Sequence, residues 1–201
     1  MVKSNFNDQL LDKIQKSHQI KIELFKDLKK IESLAILMQK TLKRRNKILF
    51  CGNGGSASDA QHLSTEFLIR FDKKYNRKSL PAIALGLDVS TLTACANDFS
   101  FKHVFSRPFE SLAKKGDLLV CLSTSGNSAN IIEVLKKSQK ARISCFSFLG
   151  NTGGKAKNYS DNSIIVPSKN TALIQETHMF LAHYIIEFVE KNLKNDKEKF
   201  K

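Results

Sequence analysis

Residues 47–66 read KILFCGNGGSASDAQHLSTE: a short apolar run, a loop with three glycines, then small and polar residues with helical character. A nearly continuous apolar run of this length is the pattern of a parallel strand covered on both faces. The same punctuation recurs down the chain. Strands are predicted at 47–52 (KILFCG), 82–87 (AIALGL), 117–123 (DLLVCLS), 143–150 (ISCFSFLG) and 163–168 (SIIVPS). Helical patterns lie between them in ASDAQHLSTEFLIRF, FKHVFSRPFESLAKK and SANIIEVLKKSQKA, with a short piece after TGGK. A long amphipathic helix, TALIQETHMFLAHYIIEFVEKNLK, follows the last strand. Such alternation predicts an α/β fold, a doubly wound, Rossmann-like five-stranded parallel sheet flanked by helices.

The first 45 residues contain neither glycine nor proline. Leu24, Leu28, Ile31, Leu34, Ala35, Met38 and Leu42 recur at three- and four-residue steps, which predicts one helical face. An earlier helix carries Phe6, Leu10 and Ile14. Helices placed before the first strand must bury such stripes against the sheet or against another subunit. The chain thus divides into N-terminal helices (1–45), a main α/β unit (46–195) and a charged tail (196–201), one domain overall.

With 201 residues and 41% hydrophobic content, the chain can bury a sizeable core. No apolar run approaches the roughly 20 residues of a membrane span. The N-terminus lacks the apolar stretch of a signal peptide, so a cytoplasmic location is expected, with no membrane partner. The four cysteines, Cys51, Cys95, Cys121 and Cys145, form no CxxC pair and read as buried, reduced thiols. A net charge of +14 raises nucleic acid as a partner. The lysines are scattered and interleave with no aromatic stripe, which favours a solvated surface whose field also suits an anionic substrate.

In sheets of this type ligands bind beyond the carboxyl ends of the strands. Two loops there are unusual: Gly52-Asn53-Gly54-Gly55-Ser56 and Ser123-Thr124-Ser125-Gly126-Asn127-Ser128, each leading into a helix. Glycine admits close backbone approach, and helix N-termini offer free N–H groups to anions. Ser123, Thr124, Ser125 and Ser128 add hydroxyl donors. Neither loop fits the dinucleotide or nucleoside-triphosphate fingerprints; a sugar phosphate monoester fits better. His62 and Glu66, at i and i+4, share one helical face and can converge on an ion or substrate. Gln175 and His183 lie two turns apart on the last helix. Taken alone, His183 within LAHYII reads as a satisfied core histidine, and His18, His103 and His178 read as structural.

Taken together, GNGGSASDAQHLSTE, ANDFSFKHVFSR, CLSTSGNSAN and VPSKNTALIQETH resemble the phosphoheptose isomerases, enzymes of the sugar-isomerase (SIS) domain family, over residues 20–190. The resemblance implies isomerisation of D-sedoheptulose 7-phosphate to D-glycero-D-manno-heptose 7-phosphate, supplying heptose for lipopolysaccharide or capsule. It implies substrate contacts from Asn53, Gly54, Gly55, Ser56, Glu66, Asn97, Asp98, Ser123, Thr124, Ser125, Ser128 and Gln175. It implies one zinc per subunit on His62, Glu66, Gln175 and His183, with Glu66 and His183 as the acid–base pair. It implies a homotetramer with sites at subunit interfaces, His183 completing a neighbour's site. In place of the family's usual Asp and Arg before the last helix stand Asn170 and Leu173, which bears on efficiency and substrate preference. Two alternatives remain: a non-catalytic SIS-fold protein that binds a replication initiator, and an isomerase or binder of another phosphosugar. The first would be expected to have lost the residues that this chain keeps as Glu66 and His183; the second lacks the quartet.

Overall fold

The computed structural model describes residues 5–86 and 88–195; the predicted tail at 196–201 lies outside them. Five parallel strands form one sheet: β1 (Ile48–Gly52), β2 (Ala82–Ala84), β3 (Leu118–Ser123), β4 (Ser144–Gly150) and β5 (Asn162–Val166). Their order is β2-β1-β3-β4-β5, with register partners Ile48↔Ala82, Cys51↔Cys121, Cys121↔Ser147 and Phe148↔Ile164. The chain leaves β1 for β2 on one side and reaches β3 on the other. That reversal opens a crevice between the carboxyl ends of β1 and β3, where the two singled-out loops emerge.

Period-two alternation splits the strand side chains between two cores. Ile48, Phe50, Val120, Leu122, Phe146 and Phe148 face helices α1 (Phe6–Glu23, its last turns only), α2 (Leu28–Lys43), α3 (Gly55–Leu68) and α7 (Thr171–Asn195). Leu49, Cys51, Leu119, Cys121, Cys145 and Leu149 face α4 (Val89–Asp98), α5 (Ser106–Leu112) and α6 (Ala129–Ala141). The predicted doubly wound sheet is what folds. All four cysteines are buried and free, as predicted, and Cys51 and Cys121 bring their sulfurs to 3.4 Å across β1 and β3. No helix among the described residues is long and apolar enough to cross a membrane.

Several boundaries differ from expectation. β2 stops at Ala84 rather than running to residue 87, because Gly86 turns the chain with φ +73°. The segment TLTACAND is helical, within α4, capped by Asp88, whose carboxylate accepts from Ser90 N and Thr91 N. The predicted helix FKHVFSRPFESLAKK divides into a 3-10 turn (Phe101–His103) and α5. Pro108 is the cause: it lacks an N–H and is tolerated in the first turn of a helix but not in the interior. The N-terminal stripe is also interrupted. A 3-10 segment (Leu24–Asp27) separates α1 from α2 and shifts the helical phase, so Leu28 is exposed while Leu24 and Ile31 to Leu42 are buried as predicted. Along α1 only Ser17 and Ile20 are buried, and Phe6, Leu10 and Ile14 stand open.

His178 takes the structural role predicted for it. It is wholly buried on α7, and Nε2 donates to Leu149 O at 3.0 Å. Burial pushes its imidazole from 6.5 down to about 4, with the Leu149 bond opposing. The unfolded chain therefore takes up this proton first, and stability present above pH 6.5 is lost as pH falls towards 4. A shift of this size is worth roughly 3 kcal/mol. Urea midpoints should fall between pH 7 and pH 4.5, and His178→Gln should flatten that slope; an unchanged slope refutes the assignment.

Candidate active site between β1, β3 and α7

The crevice loops are joined by a reciprocal amide pair. Asn53 Nδ2 donates to Asn130 Oδ1 at 2.9 Å, and Asn130 Nδ2 donates to Asn53 Oδ1 at 2.8 Å. Asn130 is buried in the first turn of α6 and also accepts from Ile131 N. The second loop folds on its own hydroxyls. Ser123 Oγ accepts from Gly126 N, and Ser125 Oγ accepts from Asn127 N, both at 3.1 Å. Ser128 occupies the N-cap of α6 yet makes no capping bond, so its hydroxyl and the helix terminus face the crevice together. Asn53, Ser56, Ser123, Thr124, Ser125 and Ser128 enclose a cavity of about 50 Å³. That volume suits a tetrahedral anion, and the donors around it suit a negative one.

Helix α3 starts at this cavity and runs alongside α7 in the same direction. Gln175 lies over Gly55, so close that a Cβ on Gly55 would sit 2.6 Å from its carboxamide. Further along, His62 and His183 meet with Nε2 atoms 3.1 Å apart, and Glu66 Oε1 is 3.2 Å from His62 Nε2. Ligating atoms of His62, Glu66 and His183 all lie within 4.8 Å of one another. His183 thus lies with His62 and Glu66 of its own chain. The family resemblance implied this grouping; spacing along the chain does not show it, since α3 and α7 pack only through the tertiary fold. Burial, then the neighbouring His62, holds the His183 imidazole below its ordinary value, with Glu66 and Asp59 opposing.

Two facing ring nitrogens at 3.1 Å require a proton on one or a shared cation. Ligands on a tetrahedral zinc with ~2.0–2.1 Å bonds stand about 3.3 Å apart, and nitrogen with carboxylate oxygen is a zinc donor set. The cluster fits such an ion.

Asp59 was not among the sequence candidates. It is buried, and its Oδ2 has no hydrogen-bond partner among the described residues. Burial pushes its carboxyl up, opposed first by Gln175 and then by His62 and His183. Asp59, His62 and Glu66 follow at steps of three and four, the spacing of one helical face, and that signal was available in the sequence. Asn130 gave no such signal, because only the crossing of α6 with the first loop sets its role.

Asn97 and Asp98, at the exposed end of α4, hydrogen-bond each other at 2.8 Å and do not line the anion cavity. Asn170 caps α7, accepting from Ala172 N and Leu173 N. Leu173 packs into the core beside α2. Asn170 therefore supplies the cap that an aspartate would supply. A larger open groove, about 550 Å³, lies between α1 and the start of α7, bordered by Lys13, His18, Lys21 and Glu176. It contains none of the loop or cluster residues apart from neighbours of Gln175.

Comparison with known proteins shows the family of the chain. Residues 14–149 match the family model of the SIS domain. The phosphoheptose isomerase of Clostridium acetobutylicum is 42% identical over 187 residues, covering 92% of this chain and 94% of that protein. The chain belongs to the phosphoheptose isomerase family. The family member from Campylobacter concisus is 46% identical over 161 residues, 80% of this chain and 84% of that one. Among solved family members, the phosphoheptose isomerase of Neisseria gonorrhoeae superposes with TM-score 0.85 at 37% identity, covering 93% of this chain and 100% of that one. The Francisella tularensis structure gives 0.87 at 32% identity, over 94% and 100%. The family's fold extends over the N-terminal helices as well as the sheet.

Proposed function

We propose that this protein isomerises D-sedoheptulose 7-phosphate to D-glycero-D-manno-heptose 7-phosphate. The observation that carries this reading is the His62–Glu66–His183 cluster set along α3 from an anion cavity, in a chain of this family. The hydroxyl loop and the α6 terminus hold the phosphate, and Gly54, Gly55 and Ser56 meet the sugar chain at the start of α3, where Gln175 lies over Gly55. Asn97 and Asp98 are assigned to the sugar from the family pattern alone.

The reaction moves one proton from C1 to C2 through an enediol, while the carbonyl passes from C2 to C1. Glu66 and His183 divide this work: one exchanges the carbon-bound proton, the other moves the proton between O1 and O2. Near neutral pH an ionised carboxylate can accept, and an imidazole held below its ordinary value is present in the neutral form that both accepts and donates. Asp59 bonds Gln175 and adds its charge to the field of both histidines. His62, Glu66, Gln175 and His183 would hold one zinc per subunit, which supplies electrophilic stabilisation of the enediolate oxygens.

The exposed face of α1 supports the homotetramer, since Phe6, Leu10 and Ile14 stand exposed among the described residues. A cytoplasmic heptose pathway feeding lipopolysaccharide or capsule is the setting this activity implies. Retention of Glu66 and His183 disfavours a purely binding role. The test is incubation of purified, size-characterised protein with sedoheptulose 7-phosphate. Aldose formation is expected, abolished by chelator and restored by zinc; no turnover with or without zinc overturns the proposal.

A further inference from the structure

Arg77 and Glu190 form an ion pair next to the cluster without belonging to it. Glu190 stands two turns beyond His183 on α7, with its side chain 1% exposed, and Arg77 Nε donates to its Oε1 at 2.6 Å. The same carboxylate accepts from Phe71 N at 3.1 Å and Asp72 N at 2.9 Å. The guanidinium turns its other nitrogens to the end of α3: Nη2 donates to Glu66 O at 2.7 Å and Nη1 to Phe67 O at 2.8 Å. Carbonyls in the last turn of a helix lack intrahelical partners and carry its negative pole, so a cation is well placed there. Finally, Phe71, held by its backbone bond to Glu190, lays its ring 5.5 Å from that of His183, while His62 lies 5.2 Å from it.

One buried pair therefore touches the backbone of Glu66, the helix that bears His183, and the segment whose phenylalanine flanks the His183 ring. Besides anchoring residues 69–80, the pair thereby holds the backbone from which the Glu66 carboxylate projects. A lysine cannot reproduce the contact, because one ammonium cannot span Nε, Nη1 and Nη2 positions in a plane. We propose that Arg77 and Glu190 are positioning residues that set the separation of Glu66 and His62 on α3 from His183 on α7. Displacements of about 1 Å in such groups cost rates of order 10²-fold, and outer-shell partners of metal ligands typically contribute 10- to 100-fold in metal affinity or activity.

The activity arm rests on the isomerase reading; the metal arm does not. Arg77→Lys and Glu190→Asp, which keep the charges, are compared with the parent at a temperature where circular dichroism shows each folded. Cobalt and zinc affinities are read by competition with a chromophoric chelator, alongside kcat and KM for sedoheptulose 7-phosphate. The expected result is a 10- to 100-fold loss in metal affinity and in kcat, with KM within about threefold, because the anion cavity lies at the other end of α3. Folded variants with a lowered melting temperature but parental metal affinity and kcat overturn the proposal. If Arg77→Lys fails to fold, the milder Glu190→Asp decides. A parent that binds metal but turns over no sugar phosphate refutes the isomerase reading and leaves the metal arm decisive. Should the parent bind no metal, ring-nitrogen NMR signals of His62 and His183 are the readout, and unchanged signals in the variants overturn the proposal.

Discussion

Substitution of Glu66 by glutamine is expected to leave a folded protein that binds sugar phosphate and turns it over about 10²- to 10⁴-fold more slowly. The side chain is only 17% exposed and is bounded by the cluster, so an isosteric amide fits the same space. A carboxamide cannot accept a proton, and it is a poorer metal donor than a carboxylate. Its oxygen can still sit near His62, which limits the change to local chemistry. His183→Gln should fall in the same range. The double variant should be little worse than the more damaged single one, since groups that act as a unit are not additive. Steady-state kcat and KM, with bound zinc quantified in each preparation, give the answer. Turnover within about tenfold of the parent in zinc-replete Glu66→Gln removes the acid–base assignment.

Gly126→Ala should disable the other half of the site. Gly126 has φ +63°, and a Cβ there would lie 2.1 Å from Gly153 O, a backbone atom that cannot swing aside. The two loops are interlocked: Gly126 O accepts from Ala156 N at 2.8 Å, and Asn127 Oδ1 accepts from Lys155 N at 3.0 Å. Relief of the clash needs a shift of about 1 Å to reach normal contact, and the left-handed backbone is unfavourable for alanine besides. Ser123, Thr124, Ser125 and Ser128 would then no longer converge on one anion. We expect kcat/KM to fall by about 10²-fold or more, ~2.7 kcal/mol in transition-state binding. Inhibition by inorganic phosphate should weaken in parallel. A folded Gly126→Ala protein with parental KM and phosphate inhibition would show that this loop does not hold the phosphate.

The strands of the fold were legible because buried parallel strands advertise themselves as short apolar runs, and all five appear where the runs lie. The α4 helix was less legible: TLTACAND is short and carries two threonines with an alanine-cysteine pair, and Asp88 caps it from outside that segment. In the N-terminal helices the periodicity of Leu24 to Leu42 suggested one unbroken face. A 3-10 segment shifts Leu28 outwards, and no local pattern in the sequence marks it.

For the site, the sequence by itself determined the two crevice loops and the His62–Glu66 pair. Glycine and hydroxyl residues after a strand, and the i, i+4 step on a helix, are local constraints of backbone and period. Only the tertiary structure decided which distant groups join them. His183 meets His62 and Glu66 within one chain, Asn130 locks the first loop to the second, and Arg77 ties the backbone of Glu66 to Glu190. The physical reason is that such contacts depend on how helices and loops far apart in the chain pack against one sheet and one another. That relation is set by the shapes of the buried side chains between them, and no spacing along the chain encodes it.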